Sequence, residues 1–320
     1  MAFKIFSGTA NRPLAEKIAG SKEIAQKLGE VEITNFADGE QYVRFQENLR
    51  GETVFIIQPT NQPDSNLIQL FMLLKAALGA SAGRVIAVIP YYGYARQERK
   101  SVGREAISAS LWAQFIDSLS IERVLFMDLH ANAIEGFFRN VKVDHLYARP
   151  VFIKLFKEQF KQEIGNDKLV VVSPDAGGVD RARAYARRLG GSSLAIIDKR
   201  RERSNHAEAM NVIGDVENKT ALIVDDLLDT CGTVVGASDA LLKKGAAKVC
   251  VVSTHGVYSG DAIEKLESSN INQVFIADTI YNHSLLLDQS KKITVLSVAD
   301  LFAQAIIRTV NNQSLSALFD

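Results

Sequence analysis

Short runs of apolar residues alternate with longer stretches of helical periodicity along this chain. Val54–Ile57, Val85–Ile89 and Val124–Met127 are continuous apolar segments of strand length, and Phe3-Ile5-Phe6 is a similar segment interrupted by Lys4. Such runs, without polar alternation, predict strands buried on both faces. Between them, Asn66–Leu78 and Ile107–Leu119 carry apolar residues at helical spacing. The second half repeats the pattern. Leu169–Val172, Ser193–Ile197, Ala221–Val224, Val249–Ser253 and Val274–Ala277 predict strands, and Arg181–Leu189, Val234–Lys243 and Ala262–Ser268 predict helices. Strands alternating with helices imply mostly parallel sheets covered by helices, an α/β protein of two domains divided near His145–Pro150. The expected domains are residues 1–147 and 148–320, with the last helix packing back on the first.

Sheets of this kind bind ligands beyond the carboxyl ends of their strands, which makes the loops after the strands the informative places. After the strand at 221–224 comes Asp225-Asp226-Leu227-Leu228-Asp229-Thr230-Cys231-Gly232-Thr233, and then a helical pattern. Gly232 allows a tight turn and close approach of a ligand. N–H groups at the start of the following helix would face a phosphate, and Thr230 and Thr233 add hydroxyl donors. Asp225 and Asp226 would repel a bare phosphate but accept hydrogen bonds from ribose hydroxyls. The plainer alternative, an acidic strand end followed by a helix cap, explains each feature singly; a phosphorylated sugar explains them together.

Composition narrows the class. The 320 residues balance 37 Lys and Arg against 37 Asp and Glu, so no overall field favours nucleic acid or a membrane surface. Two cysteines, Cys231 and Cys250, form no disulfide framework and suit a reducing compartment. Met1-Ala2-Phe3-Lys4 leads into a strand-like segment without a signal-peptide pattern. A cytoplasmic protein is expected. One local exception to neutrality is the basic run Lys199-Arg200-Arg201-Glu202-Arg203.

The stretch 225–233 resembles the phosphoribosyl-diphosphate signature shared by phosphoribosyltransferases and ribose-phosphate diphosphokinases. Further segments are similar to the diphosphokinases, also called phosphoribosyl-diphosphate synthetases. These are Asn35–Glu40 (Asn-Phe-Ala-Asp-Gly-Glu), Pro90–Arg99, Asp128-Leu129-His130-Ala131, Ser173–Gly178 and the basic run through Asn205. They follow the family's order over nearly the whole chain. The resemblance implies two similar phosphoribosyltransferase-like domains and transfer of the β,γ-diphosphate of ATP to ribose 5-phosphate, with Mg²⁺ as cofactor.

It also implies site residues. Phe36, Asp38, Gly39 and Glu40 would form the adenine site, with Arg96 and Gln97 contacting ATP from the other side. A flat ring and two carboxylates suit a purine, although composition alone favours a β-turn at Asp38-Gly39. Arginine can stack on a base and pair with phosphate; a surface arginine is the alternative for Arg96. His130 and Asp175 would hold the metal. The aspartate suits Mg²⁺ directly, whereas only the resemblance gives the histidine that role. Lys199 and Arg201 would be catalytic, Arg201 also touching ribose 5-phosphate, with a solvated basic loop as the alternative. The sugar phosphate would lie on Asp225, Asp226, Asp229, Thr230, Cys231, Gly232 and Thr233.

Other positions depart from the family's common form. Ser101–Arg104 lacks a second arginine and a serine, Ala133 and Glu135 replace glutamines, and Arg139 replaces an aspartate. In hexameric members these regions belong to a phosphate and ADP regulatory site, while Arg50 and Ser314–Phe319 still match. The family implies a homo-oligomer, a hexamer or smaller. Two rival readings are a phosphoribosyltransferase, which needs neither the adenine loop nor Lys199, and a non-catalytic regulatory subunit, which the presence of Lys199, Arg201, Asp175 and Asp225 disfavours.

Overall fold

The computed structural model describes residues 3–200, 209–281 and 290–319. The described residues form two compact units. The first contains β1 (Phe3–Ser7), α1 (Arg12–Ala19), β2 (Val31–Asn35), β3 (Gln41–Phe45), β4 (Thr53–Ile57), α2 (Ser65–Gly79), β5 (Arg84–Ile89), α3 (Ser108–Ser118), β6 (Arg123–Met127) and β7 (Lys142–Leu146). Its main sheet is five-stranded, in the order β1-β4-β5-β6-β7, with every neighbouring pair parallel. β4 is buried throughout, and β5 and β6 are buried at every residue after Arg84 and Arg123, as strands covered on both faces are. α2 turns Leu67, Leu70, Leu73, Leu74 and Ala77 into this core at helical spacing. β2 and β3 form a separate antiparallel hairpin, anchored where Phe45 meets Phe6 edge-on at 4.7 Å between ring centroids.

The second unit is built from α4 (Arg149–Gln159), α5 (Lys161–Gly165), β8 (Leu169–Ser173), α6 (Val179–Arg188), β9 (Ser193–Arg200), β10 (Ala209–Ile213), β11 (Thr220–Leu228), α7 (Gly232–Lys243), β12 (Lys248–Gly256), α8 (Ala262–Ser268), β13 (Gln273–Ala277) and β14 (Ile293–Leu296). Its seven-stranded sheet runs β10-β9-β8-β11-β12-β13-β14. Only the edge strand β10 is antiparallel to its neighbour. The two sheets have separate cores. Phe156 of α4 meets Phe275 of β13 edge-on at 4.9 Å. The last segment, with α9 (Ala299–Val310), belongs to the first unit, where α9 packs on α1.

Both predicted sheets are present, and so is every predicted helix within two residues of its ends. Three strand ends differ, β12 running on to Gly256 in step with β11. β11 continues to Leu228, since its parallel ladder with β12 runs on through Leu227↔His255 and Leu228↔Gly256. Asp225 and Asp226 are therefore strand residues rather than loop residues. β9 continues to Arg200 because β10 pairs with it up to Ala209↔Arg200 and Met210↔Lys199. Lys199 thus lies in the strand, not after it. Arg201 and the rest of the basic run through Asn205 lie outside the described residues.

Candidate active site

The carboxyl end of β11 collects charged groups around one arginine. Arg181, in the first turn of α6, places Nη1 3.0 Å from Asp226 Oδ1 and 3.7 Å from Asp225 Oδ1. Asp226 is the more enclosed of the two, its side chain 6% exposed against 23% for Asp225. Asp225 Oδ1 accepts the N–H of Asp226 at 2.9 Å. Burial, and then the neighbouring charge of Asp226, push the Asp225 carboxyl well above the usual carboxylate range, with Arg181 opposing both. Such a carboxyl gains from any ligand that donates hydroxyl hydrogens to its ionised form. Sequence reasoning gave Arg181 no role. Its position on the first helical turn after the Asp175–Gly178 loop was the available signal.

Beyond Leu228 the chain turns sharply into α7. Leu228 O accepts the N–H groups of Val257 and Tyr258, and Asp229 O accepts that of Ser259, so the turn is tied to the chain beyond β12. Cys231 adopts the left-handed conformation at φ 60 and is the N-cap residue, without a side-chain cap bond. The expected tight turn at Gly232 is thus a correction: the left-handed residue is Cys231, and Gly232 is the first residue of the helix. What glycine offers at 232 is space, since a Cβ there would meet no heavy atom within 4 Å. Thr230, Gly232 and Thr233 are exposed, and Asp229 is half-buried. The first-turn N–H groups of this helix of twelve residues lack a side-chain cap, an arrangement suited to an anion. The Cys231 thiol is buried and pushed up to about 12, chiefly by that burial, which makes it an inert wall of the turn.

Asp175 is exposed at the end of β8, where its Oδ1 accepts the N–H of Gly178 at 3.0 Å. In the first unit, His130 is exposed just beyond β6. Among the described residues, no group of three or more His, Cys, Asp or Glu side chains is arranged to hold a metal. An exposed carboxylate such as that of Asp175 suits a divalent cation that takes one or two carboxylates and completes its shell with water and substrate phosphates.

The tip of the β2–β3 hairpin carries Phe36, Asp38, Gly39 and Glu40. Phe36 N–H donates to Glu40 O at 2.8 Å, Gly39 N–H donates to Phe36 O at 2.9 Å, and Glu40 N–H donates to Asp38 Oδ1 at 3.0 Å. Gly39 has φ +95, a conformation that a side chain would strain. The turn favoured by composition is present, and it lifts Phe36 into solvent at 56% exposure, with Tyr42 edge-on at 5.7 Å. A rigid hairpin holding out an aromatic face can offer a stacking surface. Arg96 and Gln97 are exposed beyond β5. Gln97 is held by its N–H to Tyr94 O at 2.9 Å and by the Ser108 hydroxyl donating to its Oε1 at 2.6 Å.

Two units, each on a parallel or mostly parallel sheet flanked by helices, place the chain in the class of two-domain α/β proteins. Comparison with known proteins narrows the class. A family model described as the N-terminal domain of ribose phosphate pyrophosphokinase matches residues 3–119, and one described as a phosphoribosyl synthetase-associated domain matches residues 200–320. A protein named ribose-phosphate pyrophosphokinase from Thermotoga maritima is 48% identical, over 99% of this chain and 98% of its own. One of the same name from Caldanaerobacter subterraneus is 49% identical over the same shares. The crystal structure of phosphoribosylpyrophosphate synthetase from Mycobacterium smegmatis matches with a TM-score of 0.89 at 35% identity, covering 98% of this chain and 100% of that one. The chain belongs to the ribose-phosphate pyrophosphokinase family, whose members use a divalent metal and take ATP and ribose 5-phosphate as substrates. Among the described residues no helix is long and apolar enough to cross a membrane.

Proposed function

We propose that this chain transfers the β,γ-diphosphate of ATP to the anomeric hydroxyl of ribose 5-phosphate, releasing AMP and forming 5-phosphoribosyl 1-diphosphate for nucleotide synthesis. The observation that carries the reading is the turn from β11 into α7. There an uncapped helix N-terminus stands next to two carboxylates held by Arg181. The helix end takes the 5-phosphate, with Thr230 and Thr233 hydroxyls beside it. Asp225 accepts hydrogen bonds from the ribose hydroxyls, which favours its ionised form. Asp226, neutralised by Arg181, keeps the pair from repelling the anionic sugar.

The adenine stacks on Phe36, with Asp38 and Glu40 as acceptors for its amino group and Arg96 and Gln97 facing the nucleotide. His130 and Asp175 would each be a protein contact for Mg²⁺, which would supply neutralisation of charge on ATP when bound. The anomeric hydroxyl attacks the β-phosphorus in line and loses its proton to water, the bond from that phosphorus to the bridging oxygen of the α-phosphate breaks, and AMP leaves with that oxygen. Lys199 and Arg201 stabilise charge that grows on the transferring oxygens, and so contribute more to the transition state than to binding. The protein works in the cytoplasm as a homo-oligomer without nucleic-acid or membrane partners, consistent with its zero formal net charge.

Anion-exchange separation of the nucleotides after incubation with ATP and Mg²⁺ tests this directly. AMP should accumulate only when ribose 5-phosphate is present. Steady AMP formation without the sugar, or none with it, rejects the proposal.

A further inference from the structure

The segment that carries His130 is fastened to β7 at successive residues. Asp128 N–H donates to Leu146 O at 2.9 Å, and Ala148 N–H donates to Asp128 Oδ2 at 2.9 Å. One residue on, Leu129 N–H donates to His145 Nε2 at 2.9 Å. That contact settles the imidazole's tautomer, because a backbone N–H can only donate. Nε2 is bare, and the proton resides on Nδ1. Nδ1 in turn lies 2.8 Å from Glu135 Oε1, so a carboxylate accepts from it. The Glu135, His145 and Leu129 contacts therefore form one relay with a single consistent direction.

His145 is not a surface group that happens to face an acid. Its side chain is 4% exposed, against 40% for Glu135, and its ring lies 4.4 Å from that of Tyr147. Both ring nitrogens are engaged. Asp128, just before the bonded amide, is left-handed at φ 38, a conformation that a non-glycine residue keeps only when its surroundings impose it. The relay supplies such an imposition one residue before His130.

We infer that His145, oriented by Glu135, is a positioning residue that sets the 128–131 segment and so aims His130 at the divalent metal. The inference rests on the proposed role of His130 as a metal contact. Groups that orient a metal ligand typically change metal affinity or activity by about 10–100-fold when removed. A packing role alone would instead alter stability and leave metal affinity unchanged.

The test uses the full chain with His145→Phe, which keeps a ring beside Tyr147 but removes the acceptor, and His145→Gln, whose Oε1 can accept the Leu129 N–H. Glu135→Ala provides a milder lesion should the phenylalanine variant fail to fold, and His130→Ala is the reference. Hydrogen exchange by mass spectrometry reads the peptide spanning 128–131, and electron paramagnetic resonance reads Mn²⁺ binding to the protein with ATP. In His145→Phe the Leu129 amide should exchange faster, and Mn²⁺ affinity should fall by about tenfold. The KM for ribose 5-phosphate should stay unchanged, and His145→Gln should return both readouts toward the parent. Unchanged exchange at 128–131, or faster exchange spread over the whole first unit, overturns the inference. So does normal Mn²⁺ affinity in His145→Phe beside weak affinity in His130→Ala, which would leave the metal role of His130 standing. Normal affinity in His130→Ala itself would remove that role, and the inference with it.

Discussion

Replacing Arg181 with methionine removes the cation that Asp225 and Asp226 share while keeping most of the side chain's volume. The Nη1 to Oδ1 separations are 3.0 Å to Asp226 and 3.7 Å to Asp225. At an effective dielectric of about 20 these correspond to gross attractions of roughly 5.5 and 4.5 kcal/mol, before the cost of desolvation is subtracted. Deleting one partner of a buried pair typically costs about 3–5 kcal/mol. Arg181 and Asp225 each keep 23% exposure, which favours the lower end of that range. For a unit of this size about 3 kcal/mol lowers Tm by roughly 6–12 °C.

The loss depends on pH in a definite direction. Asp225 already binds its proton more tightly than an ordinary carboxylate, and losing Arg181 strengthens that preference. Between the ordinary carboxylate pKa and the raised one, the folded state holds more protons than the unfolded state, so stability falls as pH rises. The variant should therefore be most destabilised at pH 8 and approach the parent near pH 5. Adding Asp226→Asn should restore much of the loss at pH 8, because no uncompensated pair of charges remains. Thermal unfolding followed by circular dichroism at both pH values measures all of this. A deficit below about 1 kcal/mol at pH 8, or one equal at both pH values, would refute the electrostatic account of this cluster.

Other substitutions test other parts of the site. Lys199→Ala should lower kcat by about 10²–10³ with little change in the KM for ribose 5-phosphate; steady-state kinetics showing equal losses in binding and turnover would oppose a transition-state role. Phe36→Ala should raise the KM for ATP by about fivefold or more, the effect of losing a base-stacking surface. Its Tm should stay at the parent value because the ring is 56% exposed. The thiols of Cys231 and Cys250 are buried and pushed up to about 12 and about 11. A disulfide reagent at pH 8 should therefore label neither in the native protein and both after unfolding; rapid native labelling, read from absorbance, would contradict that.

The features legible in the sequence share a physical cause. β4, β5, β8 and the first half of β11 are buried on both faces, so they read as unbroken apolar runs. β3 (Gln-Tyr-Val-Arg-Phe) and β7 (Lys-Val-Asp-His-Leu) escaped notice because each has polar residues between its apolar ones. β10 is an antiparallel edge strand of five residues, and β14 has four, too short to stand out. The extension of β11 through Asp225 and Asp226 depends on a ladder to β12, and two adjacent aspartates otherwise look like a loop.

The same division holds within the candidate site. The turn at 229–233, proposed above to take the sugar phosphate, could be read because a helix start, glycine and hydroxyls are local signals. Arg181 could not, since its meaning comes from α6 bringing it to the end of a strand more than forty residues later. The pairing of Glu135 with His145 was hidden for that reason too: it needs the segment after β6 folded back onto β7. Residue identity shows what a side chain can do, and tertiary contact decides which partner it meets.

Phosphorus NMR of the purified protein with ATP, Mg²⁺ and ribose 5-phosphate tests the central claim most directly, because it resolves which phosphorus is transferred. AMP should appear together with a new sugar diphosphate, in equal amounts and only with the ribose phosphate present. Appearance of ADP beside a singly phosphorylated product would mean attack at the γ-phosphorus and would contradict the account.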